Sequence, residues 1–463
     1  MRTSGKRPPT LTLPRSRRTV GPPAASAQTT GLRESWAGEG GTRDALAQAK
    51  LALTRQADPL GPPRAGGWGH RTSYILRAAL LASSMLFAAN AANAADLRVA
   101  PAPDARMETV YDHGNQACEA WDVPDAPARA WKAADGSVRL LAAHTRARTL
   151  SGPSLNAVRH DCRVVFQSGK RDDPSRYDDV GWLTSPYTLD GNTIYGLVHN
   201  EYHGHKRRDL CPAGDYMACW WNALTLTESK DGGRSFGPAQ YLAGIPYKFR
   251  GDLGRRAGLF APSNIVERDG WYYAMAFAEG IGEQKRGVCL MRTRDLGDPT
   301  AWRAWDGRDF TVRFINPYTD GEKDAGAHAC APLPPNRLPF TVTSLVRHTG
   351  TGLYVAAMVG NRAERKGAEP VSGVWTSTSP DLVTWSPPRL ALPVPLLTDK
   401  ACGIRESYYY PAILDPNART RNFEDVGNTA YLYLTRLAQK GCKPTQDRDL
   451  VRIMIRLDPV SGG

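Results

Sequence analysis

The chain has 463 residues, of which 41% are hydrophobic, which is enough for one large core or two ordinary ones. Its formal charge of +13 would suit a nucleic-acid partner, but residues 1–69 carry 11 Lys/Arg against 4 Asp/Glu. Arg71 and Arg77 add two further positive charges, so the residues after Ala94 carry only about +4, and a nucleic-acid partner loses its main support.

The N-terminal part differs in character from the body. Residues 1–69 are rich in Pro, Gly, Ala and Arg without helical or strand periodicity, so we expect a disordered basic extension or a start assigned too early. The apolar run 78–89 has the length of a secretory signal, and an Ala-Asn-Ala cleavage pattern ends at Ala94. We therefore predict a signal peptide over 70–94, rather than a buried helix, and a periplasmic or extracellular body over 95–463.

The body has an even number of cysteines and lacks a CxxC pair. In an exported protein this count predicts up to four disulfides, whereas free thiols in a cytosolic protein are the alternative. The simplest pairing joins neighbours along the chain, with Cys211–Cys219 closing a short loop. No second apolar run is long enough to span a bilayer, so we expect no stable membrane insertion. The cysteines are Cys118, Cys162, Cys211, Cys219, Cys289, Cys330, Cys402 and Cys442.

Five stretches of the body share one pattern. Each leads through an entry segment, usually with proline, into a strand, a tight turn and an aromatic or aliphatic strand. The turn is Asp-Gly in three copies, a strong hairpin signal because both positions tolerate positive φ. The copies are Asp125–His144, Ser185–His205, Ala261–Gly280, Phe340–Gly360 and Tyr410–Arg436.

Three copies are followed by a second signature, in which a hydroxyl residue precedes an aspartate by two positions. The aspartates are Asp231, Asp295 and Asp381. An aspartate in this place can accept hydrogen bonds from turn amides, so we expect these residues to stabilise turns rather than to catalyse.

Repeats of this kind predict an all-β fold, a five-bladed β-propeller of four-stranded antiparallel blades. Blades that pack face to face leave no long sheet edge exposed. The last strand, Asp449–Leu457, alternates as it would if it closed the ring by pairing with the first blade.

These motifs resemble those of known propeller families. Ser229–Phe236 (SKDGGRSF) resembles the Asp box of sialidases, and Ser379–Trp385 resembles the blade turns of family 43 and family 32 glycoside hydrolases. The resemblance extends over most of Asp122–Leu457. It implies a carbohydrate substrate and three carboxylates that converge in a central funnel. Ser263-Asn264 stands where those families often have an aspartate, which departs from the expected triad.

The most polar segment of a predicted inner strand is His199–His205. An extended chain places His199, Glu201 and His203 on one face, which suits proton transfer better than a metal site because no metal-ligand spacing is present. The alternative is a polar loop in which Glu201 pairs with a neighbouring Lys or Arg.

Glycoside hydrolysis usually requires two carboxyl groups. We predict Asp125 as base or nucleophile and Glu201 as acid, with Glu279 as a second candidate acid. For Asp125 the alternative is a cap at a strand entry, and Glu279 has an equally strong structural alternative. No metal ligand set is predicted, and the sequence leaves a structural Ca²⁺ in the channel open.

Aromatic faces suit sugar rings, so Trp221, Tyr408 and Tyr409 are candidate substrate-binding residues, although such rings more often pack between blades. Arg405 is a candidate for binding an acidic substituent, or it pairs with Glu406.

The sequence therefore predicts a secreted, monomeric carbohydrate-active enzyme, a glycoside hydrolase acting on a polysaccharide or oligosaccharide. A non-catalytic carbohydrate-binding propeller is the alternative. A scaffold for protein partners is a third hypothesis, and it predicts a large exposed apolar patch on the rim.

Overall fold

The computed structural model describes residues 96–399 and 402–460. The predicted extension, 1–69, and the predicted signal peptide, 70–94, lie outside the described residues. Among the residues that the structure does describe, none belongs to a helix long and apolar enough to cross a bilayer.

The described residues form an all-β structure with short helical turns. The strands are β1 (Asp96–Pro101), β2 (Glu108–Tyr111), β3 (Arg129–Lys132), β4 (Val138–Leu141), β5 (Arg146–Ala147), β6 (Thr149–Gly152), β7 (Arg159–His160), β8 (Phe166–Gln167), β9 (Val180–Thr188), β10 (Ile194–His203), β11 (Trp220–Ser229), β12 (Gln240–Ala243), β13 (Ala257–Phe260), β14 (Val266–Arg268), β15 (Trp271–Glu279), β16 (Gly287–Thr293), β17 (Arg303–Ala304), β18 (Val312–Arg313), β19 (Val342–His348), β20 (Tyr354–Arg362), β21 (Val371–Ser379), β22 (Arg389–Pro393), β23 (Glu406–Leu414), β24 (Asp425–Val426), β25 (Thr429–Lys440) and β26 (Lys443–Val460). One α-helical turn spans His113–Gln116, and 3-10 turns span Pro174–Arg176, Gly204–Lys206, Pro299–Ala301 and Ala325–His328.

The predicted Asp-Gly turns connect the first two strands of their repeats. Gly136 joins β3 to β4 with φ 80°, and Gly191 joins β9 to β10 with φ 81°. Asp190 fixes the second turn, because its Oδ1 accepts hydrogen bonds from the amides of Asn192 and Thr193 at 2.8 Å each. The antiparallel hairpins predicted at these positions are confirmed.

The aspartates of the second signature also lie in turns. Asp231 Oδ1 accepts hydrogen bonds from the amides of Arg234 and Ser235, both at 2.9 Å. Asp381 Oδ1 accepts one from the amide of Thr384 at 2.6 Å. Both carboxylates therefore serve the local backbone. The similarity of the first turn to a sialidase Asp box stays a prediction.

The strands form consecutive antiparallel meanders. One sheet has the order β3-β4-β6-β7, another β22-β21-β20-β19-β24, and a third β1-β26-β25-β23 with β2 paired to β26. The remaining two meanders, β9 to β12 and β14 to β17, share one ten-stranded sheet because β13 pairs with both β11 and β15. The sheet topology alone does not separate five blades, so that number stays a prediction.

The last strand pairs with a different partner from the one predicted. β26 does form, but it pairs with β25, β1 and β2 and not with the sheet of β3. β1 was not predicted from the sequence, and its Leu97 and Val99 are buried in the core against β26. An N-terminal strand therefore completes the last sheet.

The hydrophobic core lies between successive meanders. Each of five buried clusters combines apolar side chains from two neighbouring meanders, and one cluster joins the last meander to the first. This arrangement supports the prediction that the sheets pack face to face in a ring. Representative pairs within the clusters are Trp131 with Leu183, Leu224 with Met291, Met275 with Leu345, Val374 with Leu432, and Tyr433 with Leu140.

A small cavity of about 10 Å³ lies where β3, β9, β19 and β23 approach one another. Arg129 lines this cavity with a buried guanidinium, which donates from Nη2 to the carbonyl of Thr343 at 2.6 Å. Burial lowers the pKa of Arg129 to about 9, so the group is still positively charged at neutral pH. The positive charge of Arg129 makes this cavity unsuited to Ca²⁺, which binds several oxygen ligands.

All eight cysteines are paired, and each pairs with its neighbour along the chain as predicted. Four disulfides are consistent with an extracellular or periplasmic protein. The bonds are Cys118–Cys162, Cys211–Cys219, Cys289–Cys330 and Cys402–Cys442.

Candidate active site

Asp125 lies just before β3, with a side chain that is 16% exposed. Its Oδ2 accepts a hydrogen bond from Trp182 Nε1 at 3.3 Å, and its Oδ1 accepts one from the Tyr410 hydroxyl at 3.4 Å. Arg448 Nη1 pairs with the same Oδ1, and His144 Nε2 lies 3.7 Å from Oδ2. These contacts all come from other side chains, so the carboxyl does not act as a backbone cap at the strand entry.

Glu201 lies on β10 with an 8% exposed side chain. Its Oε2 is 2.8 Å from His203 Nε2, and its Oε1 is 3.9 Å from His199 Nδ1. The predicted common face of these three residues is therefore present. The Tyr216 hydroxyl lies 3.3 Å from His203 Nε2 and extends the chain of polar groups.

The basic residues that follow Glu201 have other partners. Lys206 Nζ lies 3.2 Å from Asp179 Oδ1, and Arg207 pairs with Asp209 through Nη2 at 2.5 Å. The alternative in which Glu201 is neutralised by a neighbouring Lys or Arg is therefore not what the structure contains.

Trp182 and His199 join the two predicted carboxylates. These residues are opposite one another in the register of β9 and β10, and their ring centroids are 6.1 Å apart. Trp182 donates to Asp125, and His199 lies beside Glu201. Both carboxylates also act electrostatically on His144, so they belong to one local environment.

Burial governs the protonation of the neighbouring rings. It lowers the pKa of His144 below its ordinary value, although the negative charge of Asp125 opposes this effect. Burial likewise lowers the pKa of His199 against the opposing charge of Glu201. It raises the pKa of Tyr410, and the charge of Asp125 adds to that shift. Both imidazoles are therefore neutral at pH 7, and the phenol keeps its proton for donation.

Tyr410 reaches Asp125 through an irregular strand. Its φ is 57°, an uncommon conformation for a bulky residue, and the register of β23 shifts between Tyr409 and Ala412. The ring of Tyr409 packs edge-on against Tyr410 at 4.9 Å. Tyr408 is buried, and its hydroxyl donates to Glu406, so this member of the predicted pair lies in the core.

Trp221 and Arg405 are the other two predicted binding residues. Trp221 is 6% exposed and packs in the core, with its ring 6.0 Å from that of Phe249. Arg405 is exposed, and Glu406, the alternative partner of Arg405, lies 3.9 Å from Arg436.

Glu279 ends β15 and is held by two guanidinium groups. Its Oε2 lies 2.8 Å from Arg286 Nε, and its Oε1 lies 3.3 Å from Arg256 Nη2. Arg256 lies 4.9 Å from the ring centroid of Phe260, whose ring is 5.9 Å from that of His199. Glu279 therefore adjoins the same cluster. With both oxygens engaged by arginines, it is better suited to balancing charge than to donating a proton.

Several contacts of Asp125 were not predicted from the sequence. His144 ends the first repeat and Tyr410 belongs to a Tyr run, so both carried a weak signal. Trp182 lies in an ordinary strand pattern, and Arg448 is 323 residues away from its partner. Local periodicity contains no information about such a distant pair.

No family model matches the sequence, and no curated protein matches it. Among solved structures, the chain is similar to an α-L-arabinanase of Cellvibrio cellulosa complexed with arabinohexaose, with 14% identity over 73% of this chain and 95% of that chain and a TM-score of 0.41. A glycosyl hydrolase of Bacteroides ovatus has 12% identity over 78% and 93%, with a TM-score of 0.41. A xylan β-1,4-xylosidase of Bacillus halodurans has 9% identity over 74% and 55%, with a TM-score of 0.37.

These structural neighbours are glycoside hydrolases, at identities of 14% or less. At that level, and with TM-scores near 0.4, they do not determine what this chain binds or cleaves. Its function has to be inferred from Asp125, Glu201 and the groups around them.

Proposed function

We propose that the chain is a secreted, monomeric glycoside hydrolase that cleaves a polysaccharide or oligosaccharide with Asp125 and Glu201. The observation that carries this proposal is the continuous contact from Asp125 through Trp182 and His199 to Glu201. Glycosidic cleavage usually requires two carboxyl groups that flank the scissile bond.

In this proposal Asp125 is the base or nucleophile. Each of its three hydrogen-bonding partners, Arg448, Trp182 and Tyr410, donates to it. Donors on both oxygens fix the orientation of the carboxylate before a sugar arrives. A preoriented carboxylate either activates a water molecule or attacks the anomeric carbon directly.

Glu201 is the proposed acid that protonates the leaving oxygen of the glycosidic bond. His203 Nε2 lies 2.8 Å from Glu201 Oε2 and 3.3 Å from the Tyr216 hydroxyl, so this nitrogen holds the proposed acid in place. His199, neutral at pH 7, adds no positive charge beside Glu201. Glu279, together with Arg256 and Arg286, balances charge at the edge of the same cluster.

The disulfides support the proposed location outside the cytoplasm. The chain has four disulfides, and disulfides form and persist in an oxidising compartment. We accordingly propose that residues 70–94 direct export, which N-terminal sequencing of the secreted protein would test. A mature protein that begins before residue 70 would reject this part of the proposal.

Incubation of the oxidised protein with arabinan, xylan, levan and sialyl-oligosaccharides tests the main proposal. Release of reducing ends or free sugar from at least one of them is expected. The absence of release from the whole panel, by protein that is folded and fully disulfide-bonded, would reject the hydrolytic function for these substrate classes.

A non-catalytic carbohydrate-binding protein is the second candidate. The pairing of Asp125 with Arg448, and of Glu279 with Arg256 and Arg286, favours it because structural carboxylates are commonly paired in this way. Binding without turnover, unchanged by Asp125→Asn or Glu201→Gln, would support this candidate. A protein scaffold receives less support: among the described residues, the exposed large hydrophobic side chains are Trp121, Leu189 and Met454, which lie on separate elements.

A further inference from the structure

Trp121 is an exposed ring beside the candidate site. Its side chain is 50% exposed, whereas all other aromatic side chains among the described residues are buried or partly buried. An indole ring left in water costs free energy that burial would recover. Its exposure therefore requires an explanation.

The ring lies one imidazole away from Asp125. Trp121 stacks on His144 with ring centroids 5.4 Å apart and an interplanar angle of 27°. His144 Nε2 is 3.7 Å from Asp125 Oδ2, and the ring of His144 packs edge-on against Trp182 at 5.6 Å. One face of the indole is thus backed by the site, and a large part of the ring remains open to solvent.

The loop that carries Trp121 is fixed from both sides. Before the tryptophan, Cys118 is joined to Cys162 by a disulfide. After it, Asp122 Oδ2 accepts from the Cys118 amide at 2.9 Å and lies 2.7 Å from His160 Nε2. The disulfide occupies the sulfur of Cys118, so this Cys-Asp-His group serves as a brace and not as a thiolate metal site.

Ion pairs add to this brace. Glu119 pairs with Arg146 and, at 2.8 Å, with Arg148, which also lies 3.6 Å from Asp122. Burial pulls the pKa of Asp122 upward, but hydrogen bonds from His160 and the Cys118 amide outweigh it, so the pKa lies below its ordinary value. Asp122 therefore stays charged and bonded at neutral pH.

We propose that Trp121 is a sugar-stacking platform, a binding subsite for a pyranose or furanose ring of an oligosaccharide that extends outward from Asp125. The proposal deepens the proposed function and rests on it for the identity of the ligand as carbohydrate. The flat indole face matches the apolar C–H face of a sugar ring. Because the loop is already fixed, ordering it on binding costs little entropy.

Affinity electrophoresis in gels that contain arabinan, xylan, levan or mannan measures binding without requiring turnover. The variants are Trp121→Ala and Trp121→Phe, with Leu189→Ala as the matched control. Leu189 is 60% exposed in the β9–β10 turn, so its truncation removes a similar exposed apolar group at a different place. Since Trp121 is half exposed, thermal unfolding and circular dichroism should be unchanged in all three variants.

For the polysaccharide that retards the wild type, Trp121→Ala should weaken binding about tenfold, since one aromatic contact contributes on this scale. Trp121→Phe should retain most of the affinity, and Leu189→Ala all of it. Trp121→Ala that binds as tightly as the wild type would overturn the proposal. Retardation of the wild type in none of the four gels would overturn it as well.

The outcome is separable from that of the proposed function. Binding that depends on Trp121 without any sugar release would keep the platform and reject the hydrolase. With turnover, Trp121→Ala should raise KM for a hexasaccharide about tenfold at nearly constant kcat, and should change kcat/KM for a short aryl glycoside less than about twofold.

Discussion

Trp182 faces His199 across the β9–β10 ladder, and this pair places Asp125 and Glu201 in one environment. The indole nitrogen donates to Asp125 at 3.3 Å, and the imidazole lies 3.9 Å from Glu201. The pair thus joins the segment before β3 to the middle of β10. It also gives each carboxyl a ring neighbour that limits its contact with water.

Trp182→Phe should slow catalysis without unfolding the protein. The substitution keeps an aromatic ring and removes the one N–H that the ring donates to Asp125. A hydrogen bond to a charged group contributes enough for a loss of about tenfold or more in kcat. Steady-state kinetics on the substrate found in the hydrolysis panel provide the measurement.

Trp271→Phe is the matched control for this prediction. Trp271 begins β15, whereas Glu279, which adjoins the site, ends it. The two residues lie eight positions apart in an extended chain, which rises about 3.3 Å per residue. Its replacement should leave kcat unchanged. If both variants lost activity equally, the role of the Trp182 hydrogen bond would be rejected.

Removal of the Cys118–Cys162 disulfide should weaken both stability and sugar binding. The bond closes a separation of 44 residues and braces the loop of Trp121. The double variant Cys118→Ser/Cys162→Ser should lose about 2–4 kcal/mol in the free energy of unfolding. Retardation in the affinity gel should fall toward that of Trp121→Ala.

The Cys402–Cys442 bond is the comparison, because it closes a similar separation of 40 residues and lies at the turn between β25 and β26. Its removal should cost comparable stability and leave sugar binding unchanged. Equal loss of binding in the two double variants would indicate that the effect is global and not a consequence of the brace.

Glu424 gives a prediction for the pH dependence of stability. Burial raises its pKa from 4.5 to about 7, although the hydrogen bond from the Tyr187 hydroxyl opposes this effect. Between these pH values the folded protein therefore binds more protons than the unfolded chain. The resulting stabilisation is fully present below about pH 4.5 and is lost as the pH rises through about 7.

Glu424→Gln removes this titration. The free energy of unfolding of the wild type, relative to that of the variant, should fall by up to about 3 kcal/mol as the pH rises from about 4.5 to about 8. Urea unfolding at several pH values measures this change, with the partly exposed Glu228→Gln as control. A difference that stays constant over the range would contradict the assignment to Glu424.

Local patterns were sufficient for part of this structure. The Asp-Gly turn at Asp190 and the common face of His199, Glu201 and His203 both depend on residues near one another in the sequence. Strand periodicity and turn chemistry act over a few residues, so these features could be predicted.

Other features depend on partners that the chain brings together only on folding. Arg448 meets Asp125 across 323 residues, and β1 joins β26 from the opposite end of the described chain. Trp221 and Tyr408 were expected at the substrate because aromatic residues suit sugars, but the structure buries both. The sequence does not specify which face of a strand is covered by a neighbouring sheet, and that decides whether a ring packs in the core.

The most direct measurement of the central claim is kcat for Asp125→Asn and Glu201→Gln on the substrate that the wild type cleaves, with sugar binding measured in parallel. Asp135→Asn, on the exposed β3–β4 turn, and Glu228→Gln are the matched controls. Both site variants should lose about 10²- to 10⁴-fold in kcat while still binding the polysaccharide, and the controls should match the wild type. Turnover at the wild-type rate in either site variant would contradict the assignment of the two carboxyls.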